Sequence, residues 1–266
     1  MSSPWRESLH LLLAPHCVAL RRVARGWRPT PAPTVRADVE GGDGHWAPAL
    51  DALDALLASA PARGADAHVT VSSHFVRYAL VPDDALLVTQ DDRLRFARQN
   101  FVRVHGPDAE RWNVRVGGDA GAAIASAVDA ALVEALRALL ARAGLRACAL
   151  QPALMAGFNA ARAQLPAAGV RLFVVEPGIA VSATWRHGWQ RVRSQRLARP
   201  LAQELPEAID RERALDDNAD DALICVLPLV PAEATLDADG VRVLPPLWPD
   251  AAAGEPATEP DARQAA

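Results

Sequence analysis

The stretch that decides the fold is RLFVVEPGIAVSATWRHGWQRVRS, residues 171–194. Its apolar beginning predicts a buried strand at 172–175, which ends where Glu176-Pro177-Gly178 interrupts the run. Two further apolar segments, 180–185 and 189–193, flank Arg186-His187-Gly188, a sequence typical of a hairpin turn. The stretch is therefore predicted to form three consecutive strands.

The flanking sequence places these strands in a series that occurs twice. In the second half, a strand at 146–150 and a helix at 152–164 precede the three strands, and a helix at 200–213 and a strand at 222–227 follow them. In the first half, the same periodicities predict strands at 9–14, 18–23 and 35–39, a helix at 46–57 and a strand at 68–72. Because strands and helices alternate, we expect an α/β protein.

The segment between the two series predicts an inserted α+β subdomain at about 75–116. It contains a strand from Phe75, a helix at 91–104 and a strand at 112–116. A long helix is expected at 122–143, where one apolar stripe ends at Gly144. We predict a first half at 8–145 that carries this insertion, a second half at 146–248, and a disordered tail at 249–266 rich in Ala, Pro, Glu and Asp.

The composition excludes several classes of function. The chain has 266 residues and a formal net charge of −4, so it lacks the basic excess of a nucleic-acid-binding protein. It contains no lysine, which excludes both a Walker-type phosphate loop and Schiff-base chemistry. The three cysteines are far apart, as in a protein of a reducing compartment. The sequence shows neither a signal peptide nor an apolar run of the ~20 residues that a membrane span needs, so we expect a cytoplasmic protein.

Several segments resemble one protein family in their order along the chain. They are HVTVSSHFVRYALVP, FARQNFVRVHG, RWNVRV, ARAGLRACALQPALMAGFNAAR and VVEPGIAVSATWRHGWQRVRS. Together they are similar to the PilM-like proteins of type IV pilus systems and to the cytoplasmic domain of the type II secretion L protein. Both belong to the actin-like ATPase superfamily, so the resemblance implies two tandem ribonuclease-H-like halves.

The resemblance also implies an assembly role on the cytoplasmic side of the inner membrane. The expected partner is an inner-membrane pilus or secretion assembly protein, with this chain peripheral to the membrane through that partner. The alternative is an actin-like ATPase that binds and hydrolyses ATP with magnesium.

Residues at the ends of the first strands favour the non-catalytic alternative. An actin-like site needs an acid after the first strand of each half, and a glycine that lets backbone amides approach the phosphates. The first half offers Ala14-Pro15-His16 there, with neither acid nor glycine. The second half keeps Glu176 and Gly178 with Pro177 between them. We therefore interpret Glu176 and Gly178 as a degenerate phosphate-binding position, and we predict no catalytic residue, no metal and no cofactor. Nucleotide binding without hydrolysis remains open.

Other candidate sites have simple structural explanations. Ser72-Ser73-His74 suggests a nucleophile and a base, but adjacent strand residues point to opposite faces, so we interpret it as a polar strand end. The acidic run 216–221 lacks the central glycine and final glutamate of a calcium loop and is interpreted as a solvated linker. The first strand lacks the carboxylates of a ribonuclease-H-type nuclease, and the chain has no Gly-x-Ser-x-Gly elbow.

The hairpin at 185–191 is the candidate partner-binding surface. Trp185, Arg186, Trp189 and Arg191 combine aromatic and guanidinium groups, which is typical of binding anchors. A cluster of arginines that continues to Arg199 would suit an acidic partner or anionic lipid headgroups. The alternative is that the hairpin presents an ordinary solvated face.

Overall fold

The computed structural model describes residues 7–24, 30–41, 44–117, 121–166, 169–215, 223–231 and 240–249. The acidic run 216–221 and almost all of the predicted tail lie outside the described residues. Through the first half the elements are β1 (Ser8–Leu13), β2 (Cys17–Ala24), β3 (Thr30–Pro31), β4 (Val35–Asp38), α1 (Ala47–Ser59), β5 (Asp66–Val71), β6 (Val76–Val81), α2 (Gln90–His105), β7 (Trp112–Val116), β8 (Ala123–Asp129), α3 (Ala130–Arg142) and β9 (Arg146–Pro152). The second half contains α4 (Ala153–Ala161), β10 (Val170–Glu176), β11 (Ile179–Trp185), β12 (Trp189–Arg196), α5 (Leu201–Ala214), β13 (Leu223–Pro228) and β14 (Val241–Val243).

The two large sheets have the same topology, as the prediction of tandem halves requires. The first sheet has the order β3-β2-β1-β5-β9, with β4 also paired to β2, and the second has the order β12-β11-β10-β13-β14. In each sheet the first strand is central, its hairpin partner is antiparallel, and the last two strands are parallel to it. Every residue of β10 is buried because helices or the other half cover both faces of the sheet.

Packed apolar layers hold the halves together. On one face of the first sheet, β1 packs against α1 and α3 through residues such as Leu11, Leu53 and Leu136. The other face of the first sheet packs against α4 and the second sheet in a shared core that includes Leu12, Phe158 and Val174. The outer face of the second sheet is covered by α5. Helix α4 thus lies between the two sheets.

The inserted subdomain is a small sheet of order β6-β8-β7 packed on α2. Its helix begins with a capping box, in which Thr89 and Asp92 exchange hydrogen bonds with each other's backbone amides. This sheet reaches the end of β8 at Asp129, so the insertion extends beyond the residue 116 that we expected.

The predicted single helix at 122–143 is wrong in its first part. Residues 123–129 form β8, the central strand of the inserted sheet, and α3 begins only at Ala130. Alanine favours a helix by less than about 1 kcal/mol per residue, whereas burying an Ile or Val side chain contributes about 1.5–3 kcal/mol. Ile124 and Val128 are buried in the strand, so tertiary packing overrides the local preference. Asp129 then caps α3 by accepting a hydrogen bond from Ala131 N at 2.9 Å.

The strand that we expected to open the second half lies in the first sheet. β9 pairs in parallel with β5, for example Val69 with Leu150, and ends at Pro152. The first sheet is therefore completed by β9, and α4 is the first element after it. No helix within the described ranges is both long and apolar enough to cross a membrane.

Candidate functional site

The carboxyl ends of β1, β5 and β10 meet at the junction of the two halves. Here a short 3-10 turn, Ser73–Phe75, follows β5, and Pro177-Gly178 forms a tight turn between β10 and β11. Proline followed by a glycine with φ of 78° is the sequence of a type II turn. We call Ser72, Ser73, His74 and Glu176 the strand-end cluster.

Glu176 is the centre of this cluster and is only 3% exposed. One carboxylate oxygen accepts a hydrogen bond from the Ser72 hydroxyl, and the other accepts one from the Ser73 backbone amide at 2.8 Å. Burial raises the pKa of Glu176, and the hydrogen bonds from Ser72 and Ser73 partly oppose this shift. Glu176 therefore joins the two halves directly.

Histidines cover the same junction. His74 Nε2 lies 2.8 Å from the Pro177 carbonyl oxygen, and the ring of His74 makes an edge contact with that of His16, with centroids 5.5 Å apart. Burial lowers the pKa of His74, the hydrogen bond with Pro177 partly opposes this shift, and the neighbouring positive groups, His16 among them, lower the pKa further. A Cβ on Gly178 would lie 3.5 Å from the His74 ring, so the turn and the imidazole are in contact.

Protein groups occupy the hydrogen-bonding positions of the Glu176 carboxylate. Both Glu176 oxygens accept hydrogen bonds from protein groups, and the Ala14-Pro15-His16 turn opposite supplies no carboxylate. Nor do the described residues contain a group of three or more His, Cys, Asp or Glu side chains that could hold a metal ion. Ser72 and Ser73, which we had interpreted as part of a polar strand end, donate hydrogen bonds to Glu176. Sequence patterns give no signal for this contact because the partners are 104 and 103 residues apart.

The four predicted partner-binding residues lie around the β11–β12 hairpin but are not equally accessible. Trp189 is 9% exposed and packs on Phe158 with ring centroids 4.6 Å apart. Trp185 is half-buried, with the Arg162 guanidinium 4.3 Å from the ring centroid. Trp189 thus serves the core, and the partner-binding role of the hairpin stays a prediction.

The arginines of this region are held largely by the chain itself. Arg191 donates to the Leu215 carbonyl at 2.6 Å, and Arg193 pairs with Glu212 at 3.5 Å. Arg199 pairs with both Glu204 and Glu207. These contacts fix α5 and the segment before it against β12, so they explain much of the arginine cluster without a ligand.

A groove that sequence reasoning missed runs along β9, the exposed edge of the first sheet. Two adjoining pockets of about 270 and 170 Å³ form it, and both are lined by Val133, Arg137 and Leu150. Asn113, Arg115 and Ser126 of the inserted sheet line the larger pocket, and the exposed Cys148 lines the smaller one. Leu150 is 39% exposed, which is unusual for a large apolar side chain on a strand. We call this feature the β9 groove.

The two matching sheets with an inserted subdomain define an actin-like fold, and comparison with solved structures agrees. A Bacteroides thetaiotaomicron protein described as having an actin-like ATPase fold and unknown function superposes with a TM-score of 0.60 at 9% identity. The match covers 91% of this chain and 91% of that one. No protein-family model matches this chain, and a search of curated proteins also finds no match.

Two particular structures of the same fold concern secretion and pilus assembly. The cytoplasmic domain of EpsL, an inner-membrane component of the type II secretion system of Vibrio cholerae, matches with a TM-score of 0.59 and 12% identity, over 90% of this chain and 89% of that one. A chain of the PilM-PilN type IV pilus biogenesis complex matches with a TM-score of 0.60 and 16% identity, over 85% and 82%. At these identities the likeness establishes the fold.

Proposed function

We propose that this protein is a non-catalytic assembly adaptor of a type IV pilus or type II secretion-like system. In this role it binds a cytoplasmic segment of an inner-membrane protein and so remains peripheral to the membrane. The observation that carries the proposal is the β9 groove. The comparisons support the proposal because PilM and the EpsL cytoplasmic domain, which share the fold, belong to such systems.

The groove suits an extended peptide. Within the part of the chain that the structure describes, β9 is the last strand of its sheet, so its outer backbone groups are available to pair with an added strand. Val133 and Leu150 offer apolar contacts, while Arg115 and Arg137 supply guanidinium groups, of which Arg137 is also paired with Glu134 at 2.9 Å. The occupant that fits is an extended segment with alternating apolar and acidic side chains.

The absence of catalysis is part of the proposal. Glu176 is the one acid at the degenerate phosphate-binding position, and its hydrogen bonds to Ser72 and Ser73 give it a structural task. We expect no ATP hydrolysis above background and weak or no binding of Mg-ATP by isothermal titration. Turnover that Glu176→Ala abolishes would instead make the protein an actin-like ATPase.

A photo-crosslinking experiment tests the adaptor role. Cys148 is the exposed one of the three free cysteines, whereas Cys17 and Cys225 are buried, so a cysteine-reactive benzophenone can be attached in the groove of the native sequence. On irradiation with membranes, we expect crosslinks to a pilus or secretion assembly protein of the inner membrane.

The matched variants place a charge inside and outside the groove. Leu150→Arg should abolish co-purification of the membrane protein, whereas Leu86→Arg, at a side chain 84% exposed in the β6–α2 loop, should not. Recovery of no such membrane protein, or equal recovery with both variants, would contradict the proposal.

A further inference from the structure

A second pocket lies between the first sheet and α4; it shares the lining residues Val69 and Ala149 with the β9 groove and contains no residue of the strand-end cluster. It has a volume of about 220 Å³. Its floor carries His10 of β1, Arg21 of β2 and His68 of β5, and its other walls include α4 and Trp248. We call it the basic pocket.

The three basic side chains are neighbours because of strand register. His10 is paired with Arg21 across the antiparallel β1–β2 ladder and with His68 across the parallel β1–β5 ladder. Residues opposite each other in adjacent strands project from the same face of the sheet. The two imidazole rings are stacked with centroids 5.1 Å apart, so two rings and a guanidinium form one row.

The charge of Arg21 has no acidic counterpart among the described residues that line the pocket. Thr70 and Gln151 add neutral polar groups to the lining, and no acidic side chain lines it among the described residues. Burial lowers the pKa of His10 to about 4, with further lowering by His68 and Arg21. His10 is therefore neutral at pH 7, so the free pocket carries the charge of Arg21, and a bound anion would favour protonation of His10.

Two hydrogen-bond donors at the pocket lack acceptors. Arg21 Nε and Trp248 Nε1 are both inaccessible to solvent, and neither has a hydrogen-bond partner among the described residues. The Arg21 guanidinium also lies 5.1 Å from the centroid of the Trp248 ring, and Trp248 is 3% exposed. Buried donors without acceptors are uncommon in folded proteins, and an ordered water or an ion can satisfy them. Because neither atom is accessible to solvent, an anion in the pocket would reach them after a small shift of these side chains.

We infer that the basic pocket binds a small phosphate-type oxyanion. Arg21 supplies a guanidinium, whose planar set of donors matches phosphate oxygens, and the imidazole and indole N–H groups add single donors. The volume is smaller than that of pockets for drug-sized ligands, which favours inorganic phosphate or a small phosphomonoester.

Such a ligand would connect the two halves of the protein. The floor of the pocket belongs to the first sheet, whereas the segment carrying Trp248 is held to the second half by hydrogen bonds from Leu247 N to the Pro228 carbonyl and from Trp248 N to the Leu229 carbonyl. Bound anion would stabilise this contact. The inference does not depend on the adaptor role.

Isothermal titration of the full chain with inorganic phosphate is the first test. We expect binding in the millimolar range or tighter, at least about tenfold weaker in Arg21→Gln, because a hydrogen bond to a charged group is lost. The matched control is Arg111→Gln, which removes an arginine that is 78% exposed on the inserted subdomain and should leave the affinity unchanged. Circular dichroism establishes that each variant is folded.

The wild-type chain supplies a test that needs no folded variant of Arg21. In a ¹⁵N spectrum, phosphate should move the indole N–H signal of Trp248, which is identified by its loss in Trp248→Phe. Glycerol phosphate, titrated in parallel, distinguishes the source: tighter binding than phosphate indicates a phosphomonoester, and equal or weaker binding indicates the free anion. No binding of either, or binding that leaves the Trp248 signal and the Arg21→Gln affinity unchanged, would overturn the inference.

Proton linkage gives an independent readout. The titratable groups that face His10 are Arg21 and His68, while Ala156 and Ala160 of α4 and the Leu247-Trp248 segment contribute none. An anion would favour protonated His10, so the affinity for sulfate, which stays divalent throughout, should increase as the pH falls from 7 to 5. A constant or decreasing affinity would contradict a role for His10 in binding.

Discussion

Replacing Glu176 by alanine and by glutamine separates a structural role of this carboxylate from a catalytic one. In Glu176→Ala, the Ser72 hydroxyl and the Ser73 amide lose their acceptor inside a buried junction. Each unsatisfied donor costs about 1–3 kcal/mol, so we expect the free energy of unfolding to fall by about 2–5 kcal/mol. Glutamine keeps the shape, accepts from Ser73 and donates to Ser72, so Glu176→Gln should remain within about 1 kcal/mol of wild type.

The comparison also has a defined dependence on pH. Because burial raises the pKa of Glu176, the folded protein holds this proton more tightly than the unfolded chain does. The wild-type protein should therefore lose stability relative to Glu176→Gln as the pH rises above 4.5, the ordinary pKa of a glutamate.

The assay is urea unfolding followed by tryptophan fluorescence at pH 5 and pH 8. The control is Glu134→Gln, which changes an exposed carboxylate on α3 and should have little effect at either pH. The reasoning is refuted if glutamine destabilises the protein as much as alanine does, or if wild type gains stability over Glu176→Gln at the higher pH.

Three further changes test other parts of the structure. Gly178→Ala should lower the free energy of unfolding in urea by about 1–2 kcal/mol because φ is 78° at this position. Gly117→Ala, at a glycine without positive φ, should lower it by less. Gly157→Val should lower the free energy of unfolding by about 1–3 kcal/mol, because even a Cβ at this position would lie 3.2 Å from Leu227 and would displace α4 from the second sheet. An unchanged melting temperature would contradict this packing. His10→Gln should reduce the loss of stability between pH 7 and pH 4 by about 1–2 kcal/mol, a figure that allows for partial solvent screening. The reason is that His10 has a pKa of about 4 in the folded protein, whereas the unfolded chain binds this proton near pH 6.5. Equal acid sensitivity of both proteins in thermal melts would disprove it.

In the inserted subdomain, one element could be predicted from the sequence and another could not. The helix α2 was predictable because its capping box and apolar period are local. The strand β8 was not, since an alanine-rich segment has a weak helical preference and only the strands on both sides of it decide otherwise. Local signals describe a segment well when its partners are its sequence neighbours.

The candidate sites follow the same division. Glu176 and Gly178 were singled out because an acid and a glycine follow an apolar run, and their phosphate-binding role stays a prediction. The contact of Glu176 with Ser72 and Ser73 had no local signal. The β9 groove depends on which strand lies at the edge of the first sheet, and strand order is not encoded in any single segment. The groove therefore appears only when the sheet is assembled.

By itself the sequence determined the α/β class, the two series of three strands, helix and strand, and the turn at Pro177-Gly178, because periodicity and turn chemistry act within a few residues. It also excluded lysine-dependent chemistry. Only the tertiary structure decided that β9 completes the first sheet, that Glu176 joins Ser72 and Ser73, and that His10, Arg21 and His68 share one pocket. Each of these depends on strand order and register, which arise from the packing of segments distant in sequence.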